Sequence, residues 1–176
     1  MNIIAIDPGP ELSALVAYDP LTRLPLDMRL IATTDALAWL RRADPDDYGV
    51  LAVEYTPPYT LQTASGQGFV PSQVVATAIE IGAMREAWCG AFALVSRLDV
   101  KKHLLGKTSG NDAMVAAALV DRYGGTLAAA KGTKRARGPL YGIKRDLWAA
   151  LAVAVTWCES RPVHLDAHAY HAEDGL

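Results

Sequence analysis

Three acidic residues sit where a folding chain accommodates them least easily. Asp7 ends the apolar run MNIIAID and is followed at once by Pro8 and Gly9; Glu54 ends the apolar run GVLAVE; Asp146 opens the apolar stretch DLWAALAVAVTWCE. A carboxylate at the end of a buried strand costs desolvation energy unless something pairs with it. Two readings of Asp7 compete. In one it caps a Pro-Gly turn, since Asp is common at the first turn position. In the other it stands on the rim of a sheet and faces a metal ion or a phosphate.

Glu54 and Asp146 bear on that choice. If the two apolar runs are parallel neighbours, their terminal carboxylates lie one strand spacing apart, about 5 Å. Asp146 would point back over the same rim. Three carboxylates converging there repel, and one takes up a proton, unless cations lie between them. Hard divalent ions with oxygen ligands suit such a site, Mg²⁺ first where phosphates are handled and Mn²⁺ as its substitute. Two such ions about 3.5–4 Å apart activate water and stabilise the leaving oxygen of a phosphodiester.

Positive charge is segregated. Residues 131–145, KGTKRARGPLYGIKR, hold six Lys/Arg and no acid, and residues 97–107, RLDVKKHLLGK, hold four with one acid. Without them 7 basic and 18 acidic residues remain, so two cationic blocks stand on an otherwise acidic chain of net charge −2. Such blocks suit a polyanion such as nucleic acid, through Lys101, Lys102, Lys107, Lys131, Lys134, Arg135, Arg137, Lys144 and Arg145. A solvated loop and helix face is the alternative. Tyr55 and Tyr59 follow Glu54 in a Pro-rich loop, where they either stack on an exposed base or pack within the loop.

The elements that must position these groups follow from periodicity. Strands are expected at 2–7, 11–19, 24–33, 49–54 and 91–96, with a hairpin turn at Asp19, Pro20 and Thr22. Helices are expected at 34–43, 71–89, 100–106, 112–125 and 146–159, and a loop from Pro57 through the SGQG stretch. Three antiparallel strands first and crossovers later predict an α/β protein. At 176 residues with 51% hydrophobic content the chain suits one folded domain. The first residues lack a basic n-region, and the apolar stretch near 147–158 is too short to span a bilayer, so a soluble, cytoplasmic protein is expected. Cys89 and Cys158 lie far apart without CxxC spacing and are expected as reduced, buried thiols.

With these motifs in order, the sequence resembles the RuvC-type Holliday junction resolvases of the ribonuclease H-like superfamily, phage-type members included. The likeness rests on IIAIDPG at the start, VLAVE at 50–54, DVKKHLLGKTSGNDAMV at 99–115 and DLWAALAVAV at 146–155, and it extends to about residue 159. It implies a ribonuclease H-like nuclease domain over 1–160 with a polar tail at 161–176. Within that domain it implies a five-stranded mixed sheet (three antiparallel strands, then two parallel) flanked by helices. It further implies a homodimer, Mg²⁺-dependent nicking of branched DNA, most of all four-way junctions, and an acidic cluster of Asp7, Glu54 and Asp146. Lys101 and the Gly106–Gly110 loop would then lie on the DNA side, in a bacterial cytoplasm, host- or phage-encoded. Two departures stand out. The family's last helix usually carries a second Asp three residues after the first, where this chain has Ala149, and the family lacks so long a basic stretch before that helix.

Other features carry less. Small residues Ala76, Ala78, Gly82 and Ala83 would permit close helix contact and place a dimer interface on the 71–89 helix. Glu80 and Glu86 are expected to face solvent, Trp148 and Trp157 to join the core, and His164, His168 and His171 to belong to an unpacked tail rather than a zinc site. Two other function classes fit parts of the pattern. One is an actin-like or sugar-kinase-type ATPase domain, whose first strand also ends in an Asp-x-Gly turn, although this chain lacks a second such turn. The other is a catalytically silent branched-DNA-binding module, which Ala149 keeps open.

Overall fold

In the computed structural model, residues 1–57 and 70–160 are described in full, and 61–62 and 68–69 as backbone; Tyr59, most of the SGQG stretch and the tail with its three histidines lie outside the described residues. Five strands form one mixed sheet: β1 (Asn2–Asp7), β2 (Leu12–Asp19), β3 (Leu24–Ala32), β4 (Tyr48–Tyr55) and β7 (Ala91–Ser96), in the order β3-β2-β1-β4-β7. β5 (Leu61–Gln62) and β6 (Gly68–Phe69) form a separate antiparallel pair where the sequence predicted only loop. β1 pairs antiparallel with β2 and parallel with β4, and β4 pairs parallel with β7. The expected sheet is present.

β1 lies at the centre with both faces covered, which is why its sequence is apolar without alternation. Ile3 and Ala5 point to one side, into a core shared with α6 (Leu147–Ser160). Ile4 and Ile6 point to the other, where α1 (Thr33–Leu40) and α2 (Ser72–Ala87) supply Leu40, Met84 and Ala87. Residues 150–155 of α6 are fully buried, and Ala150, Ala152 and Ala154 let this helix lie close against β1 and β2. Trp148 and Trp157, expected in the core, are half-buried against its edge.

Several boundaries differ from the sequence reading for local reasons. α1 stops at Leu40 instead of 43, where residues 41–43 turn back on the carbonyls of Leu37 and Trp39. α3 (Arg97–Leu105) starts three residues earlier than expected because Ser96 caps it, accepting from the Asp99 amide at 3.0 Å and donating to the Asp99 carboxylate at 2.5 Å. α3 closes as expected on Gly106, whose φ of 68° suits glycine. α4 (Asp112–Arg122) ends before the Gly124–Gly125 turn, short of the expected 125. α5 (Leu127–Lys131) was missed; Thr126 caps it. Cys89 is exposed, contrary to expectation, whereas Cys158 is half-buried. Among the described residues no helix is long and apolar enough to cross a membrane.

Candidate functional site

The C-terminal ends of β1 and β4 place the site. Ile6 pairs with Val53, so Asp7 and Glu54 are the next residues along two neighbouring parallel strands. Behind Asp7 the chain must turn sharply: a Cβ on Gly9 would lie 2.3 Å from the Leu12 carbonyl oxygen, so only glycine fits. Thr33 holds this turn, donating its hydroxyl to the Gly9 carbonyl at 2.6 Å and meeting the Ser13 hydroxyl at 2.9 Å. The carboxyl of Asp7 is hydrogen-bonded to that of Glu54. Burial first, then the charge of Glu54 and this hydrogen bond, then Asp146, push the Asp7 carboxyl up to about 8, against a smaller opposing pull from Arg97.

Asp146 precedes the first turn of α6, and its carbonyl accepts from the Ala150 amide. Its side chain is exposed, yet it lines the same cleft as Asp7 and Glu54. The cleft encloses about 320 Å³; Lys101, Asp112, Arg145, Trp148 and Ala149 are also on its walls. Ala149 thus faces the cleft, as a residue three beyond Asp146 on one helix must. Among the described residues no group of three or more His, Cys, Asp or Glu side chains stands close enough together to hold a metal ion, so Asp146 is not drawn in to Asp7 and Glu54. The all-oxygen set of Asp7 beside the buried Glu54, with a third carboxylate lining the same cleft, is nevertheless the donor chemistry that hard divalent cations take. Asp7 and Glu54 could hold one directly, with Asp146 closing from the rim.

Sequence reasoning missed the nearest cation. Arg97 donates from Nη1 to Glu54 Oε1 at 3.2 Å, and its Nη2 is bonded to Asp112. Its pKa is raised: burial pulls it down, but Glu54 and Asp112 together outweigh that. A legible signal was available in S-R-L-D after a strand, a cap pattern that starts a helix at the strand's end and leaves its first side chain on the rim.

The basic residues divide. Lys101 and Arg145 line the cleft. Lys131 sits 5.9 Å from the Trp148 ring, a neighbour of the cleft wall. Lys102, Lys107, Lys134, Arg135, Arg137 and Lys144 are exposed outside it, with Arg137 over the Tyr141 ring at 4.8 Å. The 131–145 segment is folded rather than a loose loop. Gly132 bridges to Arg137, the Leu140 amide bonds the Ala130 carbonyl, and Leu140 and Ile143 are buried. Tyr55 lies away from the carboxylates, in a second cleft with Val74, Ile81 and Leu94.

Neither a protein-family model nor a curated protein sequence matches the chain. Solved structures do. A Thermus thermophilus RuvC structure aligns with 89% of this chain and 92% of its own at 20% identity, with a TM-score of 0.52. T. thermophilus RuvC in complex with a Holliday junction substrate aligns over the same shares at 18% identity, with a TM-score of 0.54. The chain therefore has a RuvC-like, ribonuclease H-like fold, with its carboxylate cleft at the ends of the two central parallel strands.

Proposed function

We propose that the protein is a Mg²⁺-dependent endonuclease that nicks branched DNA and resolves four-way junctions. The observation that carries this is the Asp7–Glu54 carboxyl pair, half-buried at Asp7 and buried at Glu54, with Asp146 lining the same cleft and Lys101 and Arg145 on its walls. A RuvC-like fold, one of whose solved examples holds a Holliday junction, supports the choice of substrate. Mg²⁺, or Mn²⁺ in its place, would supply charge neutralisation and an activated water.

The chain's own residues do the rest. Asp7, Glu54 and Asp146 would hold the cation, and crowding between Asp7 and Glu54 disfavours full ionisation of the pair without one. Lys101 and Arg145 draw the scissile phosphate to the cleft mouth. Water adds to phosphorus as the bond to the leaving oxygen breaks, and the leaving oxygen ends protonated, giving a phosphomonoester and an alcohol. The exposed 131–145 cations and Lys102 and Lys107 hold flanking duplex through its phosphates. Tyr55, in the second cleft away from the carboxylates, would stack on a base freed at the branch.

Two symmetric cuts call for a twofold dimer. The outer face of α2 supports one: Val75 and Ile79 are exposed on it, as is Leu94 on the edge strand β7, and Ala78 and Gly82 keep that face low. The test is cleavage of a panel of four-way, forked and linear DNAs with Mg²⁺, Mn²⁺ or chelator. Paired symmetric nicks in four-way junctions, lost with chelator, are the expected result; intact DNA at every metal concentration would remove the nuclease reading.

A further inference from the structure

The charge of the carboxylate cleft does not balance in the way a two-ion centre requires. Three candidate ligands carry −3, the position that would add a fourth acid is Ala149, and a fixed guanidinium already touches one ligand. Arg97 is not a wandering surface arginine. It is the first residue of α3, whose start is locked by the Ser96–Asp99 cap. Its second anchor, Asp112, opens α4, whose start is locked by Asn111 accepting from the Met114 amide at 3.0 Å. The planar fork of an arginine spans two carboxylates at once, which an ammonium does not do with the same geometry. Lys101 and Arg145 share the cleft, but among the described residues no ion pair joins either to a candidate ligand.

We infer that Arg97 takes the place of a second metal ion. Building on the nuclease reading above, the centre holds one divalent cation, and the Arg97 guanidinium serves as the other positive charge. Asp112 offsets the Arg97 charge in their ion pair, but the guanidinium still occupies one side of Glu54 and leaves the three carboxylates a single divalent ion to share before DNA arrives. With Glu54 given over to a cation, Asp112 would keep the guanidinium at the cleft and leave Nη1 free for the scissile phosphate. Arg97 is then a catalytic residue and Asp112 its positioning residue.

Calorimetric titration of the folded, full chain with Mn²⁺ in the absence of DNA tests this. Wild type is expected to take one ion per protomer. Arg97→Ala removes a competing charge, so its Mn²⁺ affinity should tighten on the order of tenfold. Its nicking at saturating Mn²⁺ should fall on the order of a hundredfold. Arg97→Lys, which keeps the charge and loses the fork, should recover part of the nicking. Asp112→Asn should lower nicking in wild type and leave it unchanged in the Arg97→Ala background. Two ions in the free wild type, or unchanged affinity in a folded Arg97→Ala variant, would overturn the role given to Arg97 while leaving the nuclease reading standing. Equal effects of Asp112→Asn in both backgrounds would overturn its positioning role. No Mn²⁺ binding by wild type or by any Arg97 variant would instead remove the metal centre itself, and this inference with it.

Discussion

The carboxylate cleft and the 131–145 segment hold opposite charges and obey different physics. In the cleft, acidic and basic side chains crowd around the buried Glu54, so each depends on its neighbours. In the basic segment Lys134, Arg135, Arg137 and Lys144 stand in solvent, where salt screens them and each acts nearly alone. The difference teaches where single substitutions matter. One changed atom in the cleft alters the whole group, whereas the segment gives way in proportion to the number of charges removed.

The sharpest test of this contrast is on the cleft side. Asp7→Asn, Glu54→Gln and Asp146→Asn should each lower nicking by at least about a hundredfold. Junction binding should hold or tighten, because each change removes a negative charge facing phosphates. Gel-shift and nicking assays on one junction separate the two effects, and near-normal nicking by any variant would take that residue out of the centre.

The second test uses proton linkage. The Asp7 carboxyl is raised from 3.8 to about 8 in the folded protein, so folding favours its protonated form. That contribution is fully present below about pH 4 and is lost as pH rises to about 8. Metal-free protein should therefore lose thermal stability across this window, by several degrees in Tm. Asp7→Asn should flatten that dependence and melt higher at neutral pH; melting curves at stepped pH, with and without Mg²⁺, decide it. An equally steep dependence in Asp7→Asn would mean that the cleft charges are less interdependent than described.

Smaller effects belong to the open surfaces. Replacing Lys131, Lys134, Arg135 and Arg137 together with Ala should reduce the slope of log binding constant against log salt by about four units, roughly one per phosphate contact. Measured with junctions of different sequence, the loss should be uniform, and an unchanged slope would leave the segment without phosphate contacts. Ile79→Glu on the outer face of α2 should shift the protein toward monomer in sedimentation at micromolar concentration and uncouple the paired nicks. A persistent dimer would move the interface elsewhere.

The sheet and the Asp7–Glu54 neighbourhood were legible because both depend on short-range pattern. An apolar run that ends on an acid marks a strand's end, and one pairing then brings two such ends together. Arg97 was not legible as a partner of Glu54. In sequence it belongs to a block of positive charge, and its contact depends on β4–β7 pairing and on how α3 meets α4. The basic segment was legible in charge but not in shape, since Leu140 and Ile143 look like ordinary loop apolars until the core receives them. α5 and the β5–β6 pair are too short for periodicity to declare.

The two cysteines differ in a way that is useful at the bench. Cys89 is exposed just before β7 begins, at the far end of that strand from Ser96 and Arg97. Cys158 lies in α6, where burial and the nearby Glu159 push its thiol up to about 12, so little thiolate forms at neutral pH. A maleimide dye should therefore mark Cys89 alone in the unmodified chain. That gives one fluorophore per protomer, remote from the cleft, with which to test for junction binding in real time.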